Sequence, residues 1–233
     1  MTLIKEEKGK KYYKNNSKTE LIIFVTSDND SLRRDFSYYF FRYLEHNGIK
    51  TNLLRNDVKY KDNGLITHKY QPINIDISIQ NSAVAEYAKK LFSEGTELDT
   101  PIVDWYLDNG GKKIRINPEL AIELNKYTTN DKLAHNLISN KTEIQQINKL
   151  ALKINTLLKK FLLAEGWILD QFYFSVGLVN NHLAVVDEIS PQFAILSDNR
   201  GHLFDQDIFK RKKSRSEMVT QYKQLIAALK TKI

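Results

Sequence analysis

Two neighbouring acids, Asp187 and Glu188, follow the apolar run Ala184–Val186 and precede Ser190 and Pro191. A buried strand that delivers two carboxylates to a turn offers oxygen ligands to a hard cation such as Mg²⁺, which takes one or two carboxylates together with substrate phosphates. The competing reading is a solvated strand end, with Ser190 and Pro191 making an ordinary turn. A second stretch, "EEKGKKYYK" (Glu6–Lys14), sets Gly9 among Lys8, Lys10 and Lys11. A glycine turn lets backbone N–H groups approach phosphates, and the lysines add charge. The stretch lacks the G-x-x-x-x-G-K-[ST] pattern of a P-loop, so a solvated basic hairpin is its alternative. Facing each other, the two stretches could hold Mg-ATP.

Other chemistries find no support. There are no cysteines, which excludes disulfides, thiolate nucleophiles and cysteine-based zinc sites. A reducing cytoplasm fits this usage. The histidines at 46, 68, 135, 182 and 202 show no zinc-binding spacing, and no G-x-S-x-G nucleophile motif is present. The formal net charge of +7 favours anionic partners such as nucleotides or phosphorylated metabolites. "KRKKSR" (Lys210–Arg215) reads as a solvated loop, and "FSYYFFRY" as core packing instead of a base-stacking surface. Nucleic acid is therefore not the expected partner. No apolar stretch approaches the roughly 20 residues of a membrane span, and the opening residues lack the apolar region of a secretory signal.

The elements that must position these residues follow from periodicity. Residues 1 to 14 read as strand-turn-strand, and "ELIIFVTSD" (Glu20–Asp28) as a buried strand. Leu32, Phe36, Tyr39, Phe40, Tyr43 and Leu44 trace one face of a helix that Ser31 could cap and Gly48 ends. "KTNLL" reads as a strand, and residues 56 to 70 as a loop. "PINIDISIQN" alternates Ile73, Ile75, Ile77 and Ile79 with polar residues, as a half-buried strand does. "AVAEYAKKLF" reads as a short helix, and "DTPIVDWYLDNGGKKIRIN" as a hairpin. Pro118 starts a helix, and a long one runs from Glu143 to Ala164. A hairpin turning at Asn180-Asn181 and a terminal helix complete the chain. The expected organisation is a β-rich N-terminal lobe over residues 1–80, carrying the lysine loop, and an α+β lobe over residues 81–233, with a ligand cleft between them.

These elements, in this order, resemble the SAICAR synthetase family (phosphoribosylaminoimidazole-succinocarboxamide synthases) over nearly the whole chain. "EEKGKKYY" is similar to the family's E-G-K-A-K-K-I-Y opening. "EGTELDTPIVDWYLDN" is similar to E-G-T-x-L-x-x-P-I-V-E-F-Y-Y-K-N-D. "LAVVDEISPQ" with "FDQDIFKR" is similar to L-A-D-E-I-S-P-D with F-D-K-D-x-F-R, the most specific of the matches. The resemblance implies an α+β fold of two lobes, an N-terminal antiparallel sheet over a larger C-terminal part, in a cytoplasmic homo-oligomer, with a dimer expected. It implies an ATP- and Mg²⁺-dependent ligase of purine biosynthesis. Such an enzyme activates the carboxylate of carboxyaminoimidazole ribonucleotide and joins it to aspartate. Carried over by position, Lys8, Gly9, Lys10 and Lys11 stand in the nucleotide loop. Asp187 and Glu188 stand at the metal, and Asp205 and Asp207 match a late acidic motif.

Other positions depart from the family pattern. A family lysine and glutamate on one strand correspond to Tyr173 and Ser175, and an aspartate there to Gln171. The acid after Ser-Pro is Gln192, and the arginine three residues later is Ile195. The loop before the first long helix is shortened after Asp28, and the substrate strand "ISIQNSAVAEY" has no arginine or glycine. Lysine to tyrosine removes a cation beside a polyphosphate, and arginine to isoleucine removes a bidentate anion clamp. The expectation is a family member whose parent activity is weakened, altered or lost. The alternative is a pseudoenzyme that binds a nucleotide or a protein.

Overall fold

The computed structural model describes residues 2–7, 10–14, 20–25, 30–55, 64–84, 91–109, 112–127, 138–190, 194–198, 203–204 and 215–233. The architecture is α+β, with antiparallel sheets and four helices among the described residues. The chain forms two compact units. Unit 1 comprises Met1–Pro72, Val176–Ser190 and Lys213–Ile233, and unit 2 comprises Ile73–Ser175 and Pro191–Lys212. The sequence suggested contiguous lobes, 1–80 and 81–233; in the structure the C-terminal part of the chain contributes to both units.

Unit 1 is built on a five-stranded antiparallel sheet in the order β1-β2-β3-β5-β4, formed by β1 (Thr2–Glu7), β2 (Lys10–Lys14), β3 (Glu20–Val25), β4 (Leu53–Arg55) and β5 (Gly64–His68). Strand β5 lies inside the stretch read as a loop. Its five residues are too few for a clear alternation, yet Leu65, Ile66 and Thr67 are fully buried. Helix α1 (Asp30–His46) buries Phe36, Phe40, Phe41 and Leu44, so its aromatic spacing serves the core. Phe36 meets Tyr222 of the terminal helix edge-on at 5.9 Å between ring centroids. Gly48 sits at φ 71°, the left-handed conformation that ends a helix without Cβ strain.

In unit 2 the strands run in the order β12-β11-β9-β6-β7-β8. They are β6 (Gln71–Ser82), β7 (Glu97–Asn109), β8 (Lys112–Ile116), β9 (Ile168–Val179), β11 (Ala194–Ser197) and β12 (Leu203–Phe204). The segment expected as a helix after β6 falls largely outside the described residues. Helix α2 (Pro118–Tyr127) starts at proline as expected. Helix α3 (Lys141–Ala164) is capped by Asn140, whose side chain accepts from the Glu143 N–H, and buries Ile144, Ile147, Ala151, Ile154, Leu158 and Phe161. The end of β9 from Val176 onward belongs to unit 1, and there strand β10 (His182–Val186) pairs back on β9 through Asn180 and Asn181, at φ 49° and 62°. Positive φ at both central residues is what a tight two-residue hairpin requires, and asparagine tolerates it. The terminal helix, α4, spans Arg215–Lys230 in unit 1.

The pleat sorts unit 2 into two faces, because successive side chains of a strand point opposite ways. Ile75, Ile77 and Ile79 of β6 share one face with Trp105, which pairs across from Ile77 and donates from Nε1 to Asn148 of α3 at 3.0 Å. That face is the core. Ile77 is fully buried, so Ile77→Ala is expected to cost about 2–5 kcal/mol. Urea unfolding of the two proteins measures this as a lower midpoint with an unchanged slope.

Candidate functional site

The buried strand β10 carries Val185 and Val186 through unit 1, where Val185 bridges in parallel to Thr51. The chain then turns at Asp187 with φ 76°, a left-handed conformation that is uncommon for a residue with a Cβ. Such backbone persists only where surrounding contacts over-determine it. Here the contacts come from β2: Tyr12 donates its hydroxyl to Asp187 Oδ1 at 2.7 Å, and Lys10 Nζ pairs with Oδ2. The Lys10 side chain is 2% exposed and that of Asp187 13%. The ammonium is thus buried against a carboxylate that still reaches solvent. Lys11, one residue on, points the other way and lies 3.8 Å from Glu6 on the surface.

Glu188 has a different partner. Arg33 of α1 donates Nε to Oε1 at 2.9 Å and Nη2 to Oε2 at 2.8 Å, a two-pronged pair with the Glu188 side chain fully buried. Ser37, one turn further along α1, donates to the Ile189 carbonyl at 2.7 Å. Helix α1 therefore fixes residues 188–189 while β2 holds residue 187. The two acids read from the sequence as one pair are divided between two elements. Among the described residues no group of three acids or histidines gathers for a metal. Asp187 is partly exposed but already accepts from Tyr12 on Oδ1 and pairs with Lys10 on Oδ2, so a cation would fit there only by displacing the Lys10 ammonium. Glu188 has both oxygens occupied and no exposure. Elsewhere in unit 1, burial pushes the Tyr43 hydroxyl above its ordinary range.

Unit 2 holds a second polar assembly, on the sheet face opposite its core. Asp76 and Ser78 of β6, Asp104 and Tyr106 of β7, Lys113 and Arg115 of β8, and Gln171, Tyr173 and Ser175 of β9 share that face by register and contact. Ser175 donates to Asp76 Oδ1 at 2.5 Å, and Lys113 lies 3.2 Å from Oδ2 of the same carboxylate. Arg115 pairs with the buried Asp104 at 2.6 Å. Gln171 donates to Ser78 at 3.0 Å and to the Tyr173 hydroxyl at 2.6 Å. The Lys113 ammonium lies 4.7 Å from the centre of the Tyr173 ring. The carboxamide oxygens of Gln80 and Gln171 are buried without a hydrogen-bond partner among the described residues.

Of the residues singled out from the sequence, Lys10 and Asp187 come together, and Glu188 lies beside them on Arg33. Lys8, Gly9, Gln192, Asp205 and Asp207 lie outside the described residues. Tyr173 and Ser175 lie in unit 2 on the polar face, and Ile195 is half-buried on β11. Sequence reading missed Tyr12, Arg33, Lys113 and Arg115. The last two were legible as alternate residues of "KKIRI", which a strand must present on one side. Tyr12 sits two residues after Lys10 on β2 and was open to the same inference.

Comparison with known proteins puts the chain among the ligases of purine biosynthesis. A SAICAR synthetase solved in complex with ADP superposes with a TM-score of 0.80 and 26% identity, covering 97% of this chain and 96% of its own. The phosphoribosylaminoimidazole-succinocarboxamide synthase of Methanocaldococcus jannaschii is 30% identical over 189 residues, 78% of this chain and 70% of the relative. That of Methanoregula boonei is 28% identical over 239 residues, covering 95% and 87%. The SAICAR synthetase family matches residues 26–226, and the chain belongs to that family of purine-biosynthesis ligases.

The Arg33–Glu188 pair sets a measurable expectation. Arg33→Met leaves a buried carboxylate unpaired and should destabilise the protein by about 3–5 kcal/mol. Adding Glu188→Leu should restore much of that loss, because the stranded charge is gone. Chemical unfolding of the single and double variants reads the coupling directly.

Proposed function

We propose that the chain is an ATP-dependent carbon–nitrogen ligase that uses Lys10 and Asp187 on the nucleotide, with the parent reaction slowed or its substrate altered. Lys8 and Gly9 complete the nucleotide loop in this reading, Lys11 lies on the other side of β2 beside Glu6, and Asp187 is the carboxylate for Mg²⁺. Glu188 adds negative charge beside the metal while Arg33 holds it in place. The observation that carries the reading is the buried lysine held on a carboxylate at a left-handed strand end. A buried ammonium is costly unless paired, and phosphate oxygens can take up the charge that Asp187 now neutralises. Magnesium would neutralise phosphate charge and orient the leaving group.

The reaction balances as a two-step acyl transfer. A substrate carboxylate oxygen attacks the γ-phosphorus and ADP leaves. An amine then attacks the acyl carbon, phosphate leaves, and the amine proton passes to a base. On the family's pattern the acid is carboxyaminoimidazole ribonucleotide and the amine is aspartate. The unit 2 face supports a place for such polar substrates. Lys113 stands over Tyr173 and restores a cation to a face that lost one at that position, and the Gln80 and Gln171 oxygens are acceptors suited to N–H or O–H groups. A second reading, nucleotide binding without ligation, is favoured by the uncharged side chains at Gln171, Tyr173, Ser175 and Ile195. A cytoplasmic homodimer goes with either reading.

Purified protein incubated with Mg-ATP, aspartate and carboxyaminoimidazole ribonucleotide should give the succinocarboxamide slowly, as read by mass spectrometry beside an authentic enzyme. Absence of product together with tight Mg-ADP binding would select the second reading, and absence of both would reject the nucleotide site. Lys10→Met is expected to weaken Mg-ADP binding at least tenfold in calorimetry, by the roughly 1.4 kcal/mol or more that a charge-assisted contact supplies. Lys113→Met should lower turnover while changing Mg-ADP affinity less. Equal losses of nucleotide affinity in the two variants would reject this division of labour.

A further inference from the structure

Unit 2 contains a cavity of about 790 Å³ that the ligase reading does not use. It lies off the polar face: Asp170, in its wall, alternates with Gln171 along β9, and Asn81 alternates with Gln80 along β6. Its size is that of a small-molecule site. Asp170 is 3% exposed, and its Oδ2 is buried with no hydrogen-bond partner among the described residues. A buried carboxylate oxygen left unmatched is costly and invites a cationic or donor partner.

The surroundings specify which kind. Glu94, Glu97 and Asp198 also line the cavity, against Lys159 and Lys160, an excess of two negative charges in a chain whose formal net charge is +7. Lys159 is already engaged by Glu97 at 3.7 Å. Helix α3 ends at the cavity with no basic residue in its last turn, so the negative end of its dipole adds to the field. Trp167 supplies an aromatic wall that attracts cations. Leu163 and Ile168, 67% and 37% exposed, offer apolar surface beside these charges. Negative charge, an aromatic ring and an aliphatic rim together match a cation on a methylene chain. A metal ion would leave the apolar surface unused.

We propose that this cavity binds a linear aliphatic di- or polyamine, with one ammonium group on Asp170 and the methylene chain against Trp167 and Leu163. The site is independent of the nucleotide reading. Titration calorimetry of the full chain with spermidine and with putrescine tests it. One saturable site is expected for spermidine, weakening as salt is raised. Asp170→Asn, which keeps shape and removes charge, should weaken binding at least tenfold. Leu163→Lys, at an exposed position where folding is undisturbed, should weaken it too by placing a like charge at the rim. Circular dichroism checks both folds, and if the Asp170 variant unfolds, Leu163→Lys decides. No saturable binding, unchanged affinity in the folded variants, or displacement by MgCl₂ at the same concentration as the amine would overturn the proposal.

Discussion

The end of β10 is where unit 1 concentrates its opposing charges. Asp187 and Glu188 are adjacent, yet one is held by Lys10 and Tyr12 from a strand and the other by Arg33 from a helix. Two neighbouring carboxylates repel, and that repulsion is costlier away from water. Giving each its own cation removes the penalty and ties two elements to one short segment. The left-handed backbone at Asp187 is held between these two sets of contacts. The segment is therefore fixed from both directions before any ligand arrives. A ligand contact at Asp187 would not need to order a loop, which is a large part of what binding otherwise costs.

The polar face of unit 2 obeys the same rule with different materials. Asp76 and Asp104 are nearly buried, and each is matched by a cation from β8 that stays partly in water. Lys113 and Arg115 can do this because long basic side chains bury their stems and leave the charged ends hydrated. The consequence is a face whose charges cancel locally but whose cations remain reachable. That differs from the simple loss suggested by Tyr173. Where the family pattern would place a lysine the strand has Tyr173, and Lys113 of β8, with β6 and β7 between the two strands in the sheet, lies over that ring. Position along the sequence and position in space give different answers about which charge is missing.

The fold was legible where periodicity was long. The alternating isoleucines of β6, the face of α3 and the Asn180-Asn181 turn all followed from elementary rules. The loop assignment at β5 failed because five residues carry too little pattern, and its burial depends on β3 and β4 on either side. The site was legible only in part. Residue types picked out Lys10 and Asp187, but nothing local in the chain shows that Glu188 belongs to Arg33, 155 residues away. Long-range pairing of this kind depends on tertiary packing, which no local pattern encodes. The same holds for Lys113: its facing direction could be read from strand alternation, but its neighbour Tyr173 could not.

The division between the two acids also changes how their replacement should be understood. A carboxylate whose two oxygens are taken by one guanidinium contributes to a nearby site by position and by field, without touching a ligand. Removing it would take the paired carboxylate away from the buried Arg33 and loosen the segment that presents Asp187. Loss of function on changing Glu188 would thus look like loss of a metal ligand while arising from displacement of its neighbour. The two causes separate through charge. A variant that removes Arg33 and Glu188 together keeps the segment free of stranded charge, so a metal contact made through Asp187 alone survives it, whereas one that needs Glu188 does not.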